Sequence, residues 1–255
     1  MTTEATGVRL DCDGPVATVT LCRPDVLNAQ TPAMWRALSE FSRALPGDVR
    51  VVILRGEGRA FSAGLDLSVA GASGPDSFAD LAALPESECA DRIAVYQSAF
   101  TWLHRPDIIS VAAVQGHAIG AGFQLALACD LRVLATDAKL SMAEATIGLV
   151  PDLAGTKRLV ELVGYARALE ICATGRRMDA TEADRIGLAT VVVPNAELDD
   201  AVRDLAAALL ANNRNAVVEI KALLAGAAGR SHAEQQRAER EAQTRRLRDL
   251  TGRGE

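Results

Sequence analysis

The stretch Val51-Val-Ile-Leu-Arg-Gly-Glu-Gly-Arg-Ala-Phe-Ser-Ala-Gly-Leu-Asp-Leu67 decides how this chain is read. A β-branched apolar run, the mark of a buried strand, ends at a Gly-x-Gly break. It resumes as Phe61-Ser62-Ala63-Gly64 before a helix-like start at Leu65-Asp66-Leu67. Small residues at 62 to 64 leave the main chain uncovered, so its N–H groups can come close to a ligand. Taken alone, the stretch is equally an ordinary strand-to-helix turn. A second segment of the same kind gives it weight. Ile108-Ile-Ser-Val-Ala-Ala-Val114 reads as a strand, followed by Gln115-Gly-His-Ala-Ile-Gly-Ala-Gly122 and a short apolar helix through Cys129. Strand, glycine break and helix thus recur, which predicts an α/β architecture of stacked β/α turns.

Outward from these two segments the signals are simpler. Val8 to Leu10 and Val16 to Leu21 read as paired strands around the turn Asp13-Gly14-Pro15. Pro32 to Leu45 reads as an amphipathic helix with Thr31 as N-cap, Pro32 at the first position and Met34, Leu38, Phe41 and Leu45 on one face. Val49 to Leu54 is a buried strand. Residues 68 to 90, rich in Gly, Ser, Ala, Pro and Asp, read as a loop or cover before a helix from about Cys89 to Leu103. Leu131 to Ala135 is a further strand. Helical signals dominate after about residue 152, and Leu198 to Leu250 reads almost wholly as helix. Its charged end is either a solvated face or an oligomer contact.

Composition sets bounds. The chain has 255 residues, 49% of them hydrophobic, enough to bury a full core. A net charge of −6 argues against a nucleic-acid footprint, which needs clustered basic surface. Asp130, Arg132 and Asp137 interrupt the most apolar region, so no membrane span is expected. Met1-Thr-Thr-Glu-Ala-Thr lacks a basic start followed by an apolar core, so no secretory signal is expected. Five scattered cysteines without metal-ligand spacing suit reduced thiols of a cytoplasmic protein, and three histidines make a histidine-rich metal site a poor expectation.

Two glycine-rich junctions in one domain suggest an anion or oxyanion site assembled from both. The N–H groups of Leu65 and Ala121 each fall where a helix is expected to start, so both are candidate donors. Two such donors aimed at one carbonyl oxygen would stabilise an enolate. Other motifs fail: Gly116 to Gly122 is not G-x-G-x-x-G, Gly155-Thr-Lys is not a P-loop, and neither Ser62 nor Ser141 sits in G-x-S-x-G. Ser62 reads as a small packing residue. Glu144, among small and apolar neighbours, is either a surface carboxylate or a base with a raised pKa. Asp152 follows Pro151 and precedes a helix, and reads either as an N-cap or as a second acid.

In their order and spacing these residues resemble the enoyl-CoA hydratase/isomerase, or crotonase, superfamily over nearly the whole chain. The matching pieces are Arg23-Pro24 with Asn28-Ala29, Phe61 to Leu67, Gly116 to Gly122 with Leu125-Ala126 and Cys129-Asp130, and Glu144 to Pro151 with Gly155-Thr-Lys-Arg-Leu159. Thr174-Gly175, Ala183 and Gly187-Leu188 complete the set. The resemblance implies a spiral of β-β-α turns over residues 1–197 and a C-terminal helical oligomerisation region over 198–255, in a homotrimer or a hexamer of two trimers. It implies an acyl-CoA thioester substrate, with no cofactor beyond the coenzyme A that the substrate carries and no metal. Leu65 and Ala121 would be the oxyanion donors. Coenzyme A would run past Arg23, Val26 and Ala29 and along Ala63, Gly64, Asp66, Leu67 and Gly120.

The departures from the family pattern choose among reactions. Hydratases of the family use two glutamates, one at the position of Glu144 and one where this chain has Gln124. An amide is no general base, although it can hold a water or orient a neighbour. The family's isomerases work with the single carboxylate matching Glu144, and its dienoyl-CoA isomerases carry an aspartate at the position of Asp152. They also have an aspartate where this chain has Gln124. The resemblance therefore implies double-bond isomerisation with Glu144, Asp152 and Gln124 at the centre. The alternatives are 2-enoyl-CoA hydration in fatty-acid metabolism, with Gln124 orienting water, and an acyl-CoA binding protein without catalysis.

Overall fold

The computed structural model describes residues 2–3, 6–71 and 73–252. The strands are β1 (Thr2–Thr3), β2 (Val8–Asp13), β3 (Val16–Leu21), β4 (Val51–Gly56), β5 (Ile109–Val114), β6 (His117–Ile119), β7 (Leu131–Ala135), β8 (Lys139–Ser141), β9 (Met178–Asp179) and β10 (Val191–Val193). The helices are α1 (Pro32–Ala44), α2 (Leu67–Ala70), α3 (Phe78–Ala83), α4 (Glu86–Thr101), α5 (Ala121–Ala128), α6 (Gly155–Val163), α7 (Tyr165–Thr174), α8 (Ala180–Arg185), α9 (Leu198–Leu210), α10 (Arg214–Ala227) and α11 (His232–Leu250).

Seven strands form one sheet in the order β1-β2-β3-β4-β5-β7-β10, antiparallel up to β3 and parallel from there on. A parallel sheet needs cover on both faces, and the chain supplies it. One face meets α1, α4 and α5 through Met34, Leu38, Phe41, Phe100, Phe123 and Leu125, all buried. The other face carries Val51, Val111, Ala113, Val133 and Ala135, covered by Leu198, Val202 and Ala206 of α9. Each large apolar side chain so buried contributes about 1.5–3 kcal/mol. A second sheet, β6-β8-β9, stands at the carboxyl side of the first. Lys221 of α10 is buried, and its ammonium donates to Asp130 (2.7 Å) and to the carbonyls of Ile108 (2.8 Å) and Leu103 (3.3 Å), fastening α10 to this core.

Local sequence explains most of this. Helix α1 starts where expected, with Thr31 accepting from Met34 N and Pro32 at the first position. Strand β4 runs two residues later than its apolar pattern suggests, because it pairs in register with β3 from Val16↔Val51 to Leu21↔Gly56. The expected loop at 68–90 instead holds α2, α3 and the start of α4. Side-chain caps from Asp66 and Ser77 start α2 and α3, which the local Gly, Ser and Pro content hid. The glycine break 115–120 contains strand β6, and the helical region after 152 contains β9 and β10; short strands inside a fold carry little pattern of their own. No helix among the described residues is long and apolar enough to cross a membrane.

Candidate active site

The site sits at the carboxyl ends of β4 and β5, where parallel α/β sheets leave a crevice. After each strand the chain enters a glycine-rich segment, and the two segments bond to each other. Phe61 N donates to Gln115 O (2.8 Å), Ser62 N to His117 O (2.8 Å) and Ile119 N to Ser62 O (3.0 Å). Convergence of the two segments is therefore built from main-chain bonds. It depends on missing side chains: a Cβ on Gly122 would lie 2.5 Å from Ser62 O, and one on Gly116 would lie 2.1 Å from Arg59 O. Helix α5 is buried on every side, which lets it start directly against the first segment.

Leu65 lies in a parallel bridge with Gln30, where Gln30 N donates to Gly64 O (2.6 Å) and Asp66 N to Gln30 O (2.8 Å). In an extended chain the intervening N–H, that of Leu65, points the other way. Leu65 is therefore not at a helix start, as its sequence suggested; Asp66 caps α2 after it. Ala121 is the first residue of α5, where an N–H has no partner within the helix. A Cβ on Gly64 would come within 3.6 Å of Ala121 N, so the two donors are neighbours. Among the described residues, neither N–H has an acceptor.

Glu144 opens a short turn after β8 and is buried, 8% exposed. Its Oε1 lies opposite Gly120, where a Cβ would approach it to 3.3 Å. Gln124 Nε2 donates to the same Oε1 at 2.7 Å, and Oε2 is buried with no partner among the described residues. The other end of Gln124 is committed too: Oε1 accepts from Leu153 N (2.9 Å) and Gly155 N (3.3 Å). Two main-chain donors at one end fix the amide oxygen there, so the nitrogen must face Glu144. Burial pushes the Glu144 carboxyl above its ordinary pKa, and the charge of Asp152 pushes it the same way.

Asp152 is half-buried, and burial raises its pKa as well. It caps no helix. Helix α6 begins at Gly155 behind Ala154, which is left-handed (φ 66°) and gives no side-chain cap. An N-cap must immediately precede the helix, and Asp152 stands three residues ahead of Gly155. Its carbonyl accepts from Gln97 Nε2 of α4 at 2.7 Å.

The residues expected along the coenzyme A path lie on the chain after β3 and on the two glycine-rich segments. Arg23 Nη1 donates to Asp66 Oδ2 (2.9 Å) and to Ala29 O (2.6 Å), so the cation and the carboxylate bind each other. The Ser68 hydroxyl and then Arg23 hold the Asp66 carboxyl below its ordinary range. Val26 and Leu67 are exposed, Ala63 is half-buried, and Gly64 and Gly120 are buried. Three supporting roles escaped the sequence reading. Asn28, in the left-handed region, accepts from Arg23 N and donates to Glu57 O and Ala60 O. Ser62 donates to Asn28 O and accepts from Gly64 N and Gln30 Nε2, so it is a bonding centre rather than filler. Gln97 carried no local signal at all. The only available hint was Leu27-Asn28, since asparagine tolerates a positive φ.

The enoyl-CoA hydratase/isomerase family model matches residues 11–250. The chain belongs to the enoyl-CoA hydratase/isomerase family. A Thermobifida fusca protein crystallised with acetoacetyl-CoA superposes with a TM-score of 0.92 at 49% identity, over 96% of this chain and 96% of that one. An enoyl-CoA hydratase from Polaromonas sp. JS666 gives a TM-score of 0.85 at 30% identity, over 96% and 93%. In sequence, a carnitinyl-CoA dehydratase of Salmonella paratyphi A is 38% identical over 225 residues, 84% of this chain and 78% of that protein. The fold is accordingly the crotonase fold with its C-terminal helical region. At this site Gln124 and Glu144 are joined directly, amide to carboxylate, at 2.7 Å.

Proposed function

We propose that this protein is an acyl-CoA enzyme that works through an enolate and shifts a double bond along the acyl chain. The observation that carries the reading is the Gln124 amide, engaged at both its oxygen and its nitrogen, which leaves Glu144 Oε2 as a buried base unpartnered among the described residues. The thioester oxygen would accept from Leu65 N–H and Ala121 N–H. Glu144 would take the proton alpha to the thioester, the C–H electrons passing to the carbonyl oxygen. Collapse of that enolate forms a new C–H bond further along the chain, the proton coming from Glu144 or Asp152. Preorganised donors of this kind are worth about 3–4 kcal/mol each at the transition state. Coenzyme A in a Thermobifida fusca relative of 48% identity supports the substrate class, and the proposed path uses Arg23, Val26, Ala29, Ala63, Gly64, Asp66, Leu67 and Gly120.

A second reading, reversible water addition, is favoured by the likeness to the carnitinyl-CoA dehydratase and by the raised pKa of Asp152 beside Glu144. Ultraviolet absorbance on 2-enoyl-, 3-enoyl- and 3,5-dienoyl-CoA separates the two. Isomerisation without water uptake is expected, and water addition as the faster reaction would overturn the first reading. Binding without turnover or alpha-proton exchange in heavy water would sink both and leave a binding protein. Exposed Ile220 and Leu224 on α10, with Leu247 and Leu250 on α11, support a homo-oligomer built through the C-terminal helices.

A further inference from the structure

Asp76, on the chain between α2 and α3, is one of three buried carboxylates among the described residues, 8% exposed. It is held in the left-handed region (φ 66°), a costly place for a residue other than glycine. Its own N–H donates to Asp80 Oδ2 at 3.0 Å, while Ser77 caps α3. Its carboxylate gathers three donors from two helices. Arg36 of α1 reaches Oδ2 at 2.9 Å, and Arg92 and the Tyr96 hydroxyl of α4 reach Oδ1 at 2.7 and 2.5 Å. These donors hold its carboxyl below the ordinary range against the effect of burial, and Tyr96 is pushed up to about 12, so the phenol remains a donor at neutral pH.

Two paths lead from this cluster to the reactive loops. Tyr96 packs on Trp35, with ring centroids 5.1 Å apart, and Trp35 Nε1 donates to Gln30 Oε1 at 2.8 Å. Gln30 is the residue that bridges Leu65 and donates to Ser62. On the other path, Gln97 follows Tyr96 directly and holds the carbonyl of Asp152. We propose that Asp76 is a positioning residue: it braces α4 against α1 and thereby sets the loop that carries Leu65 N–H and the loop that carries Asp152. The brace rests on the roles given to those two groups above. Aspartate serves here because its carboxylate can accept from both helices at once, and charge-assisted bonds are about twice as strong as neutral ones.

Asp76→Asn keeps the shape and tolerates the same backbone region, but removes the charge. Expected is a kcat for acyl-CoA turnover about tenfold lower, with the Kd for free coenzyme A within about twofold of the wild type. Hydrogen exchange should quicken about tenfold at Asp66 and Leu153 N–H while β5 and β7 are unchanged. Tyr96→Phe, which removes one donor and keeps the ring on Trp35, should cost about threefold, and the losses in the double variant should be less than additive, because both changes weaken the same Tyr96–Asp76 contact. Unchanged exchange at Asp66 and Leu153, or a uniform rise that includes β5, overturns the brace. A wild-type protein that turns over no acyl-CoA would defeat the proposed function instead, and the exchange pattern would still judge the brace.

Discussion

Gln124→Glu is the sharpest test of how this site chooses its reaction. The change turns the amide donor, 2.7 Å from Glu144 Oε1, into a second carboxylate oxygen. The oxygen that accepts from Leu153 N and Gly155 N keeps both partners, so ionisation is favoured at residue 124 and disfavoured at Glu144. With charges about 4 Å apart and an effective dielectric of about 20, their repulsion is about 4 kcal/mol. At about 1.4 kcal/mol per pH unit, Glu144 then keeps its proton to a pH about 2–3 units higher. Glu144 acts as a base only when ionised, and burial already lifts its pKa, so the rate falls as pH drops through that value. The expected result is an acid limb of kcat/KM for 3-enoyl-CoA isomerisation displaced upward by about 2–3 pH units from the wild-type limb. Water addition to 2-enoyl-CoA should rise as a second carboxylate appears beside the first. Stopped-flow absorbance across the pH range measures both. An acid limb within about half a pH unit of the wild type would refute the claim that the Gln124 contact sets the state of Glu144.

Glu144→Gln should abolish alpha-proton exchange, followed by NMR in heavy water, and should also stabilise the fold. The Glu144 pKa is raised on folding, so its stabilising effect is full below the unfolded value and is lost as pH rises through the folded value. The variant should therefore melt higher than the wild type at about pH 8, with the gap closing toward about pH 4, and equal melting at both would contradict the burial argument. If Asp152 is the group that returns the proton, Asp152→Asn should slow double-bond migration by about tenfold while alpha exchange persists; parallel losses would remove its separate role. Gly64→Ala should cost about 1–3 kcal/mol in backbone strain alone, because φ is 92°, and its Cβ would lie 2.5 Å from Ile119 O. Denaturant titration measures that loss, and a variant with wild-type stability and rate would show that the two glycine segments are not tightly joined.

The fold was largely legible in the chain because its signals are local. Thr31-Pro32 starts α1, the apolar runs at 51–54 and 109–114 make strands, and the residues at 61–67 and 116–122 stay small so that main chains can meet. Those segments also carried the family. Local signals misled where a cap or a pairing partner lay elsewhere: Asp66 and Ser77 turned an expected loop into helices, and Ala154 separated Asp152 from α6. The types of Gln124, Glu144 and Asp152 were plain to read, but their joint meaning was not. Only the folded chain decides that Gln124 spends its oxygen on Leu153 and Gly155, and so must turn its nitrogen to Glu144. The same holds for Leu65 and Ala121, whose N–H groups have no acceptor among the described residues and are brought together by bonds between Ser62 and residues 117–119. Periodicity and capping act over a few residues and are written in the sequence. Hydrogen-bond direction, burial and charge at a site depend on groups far apart in the chain, and only their tertiary meeting fixes them.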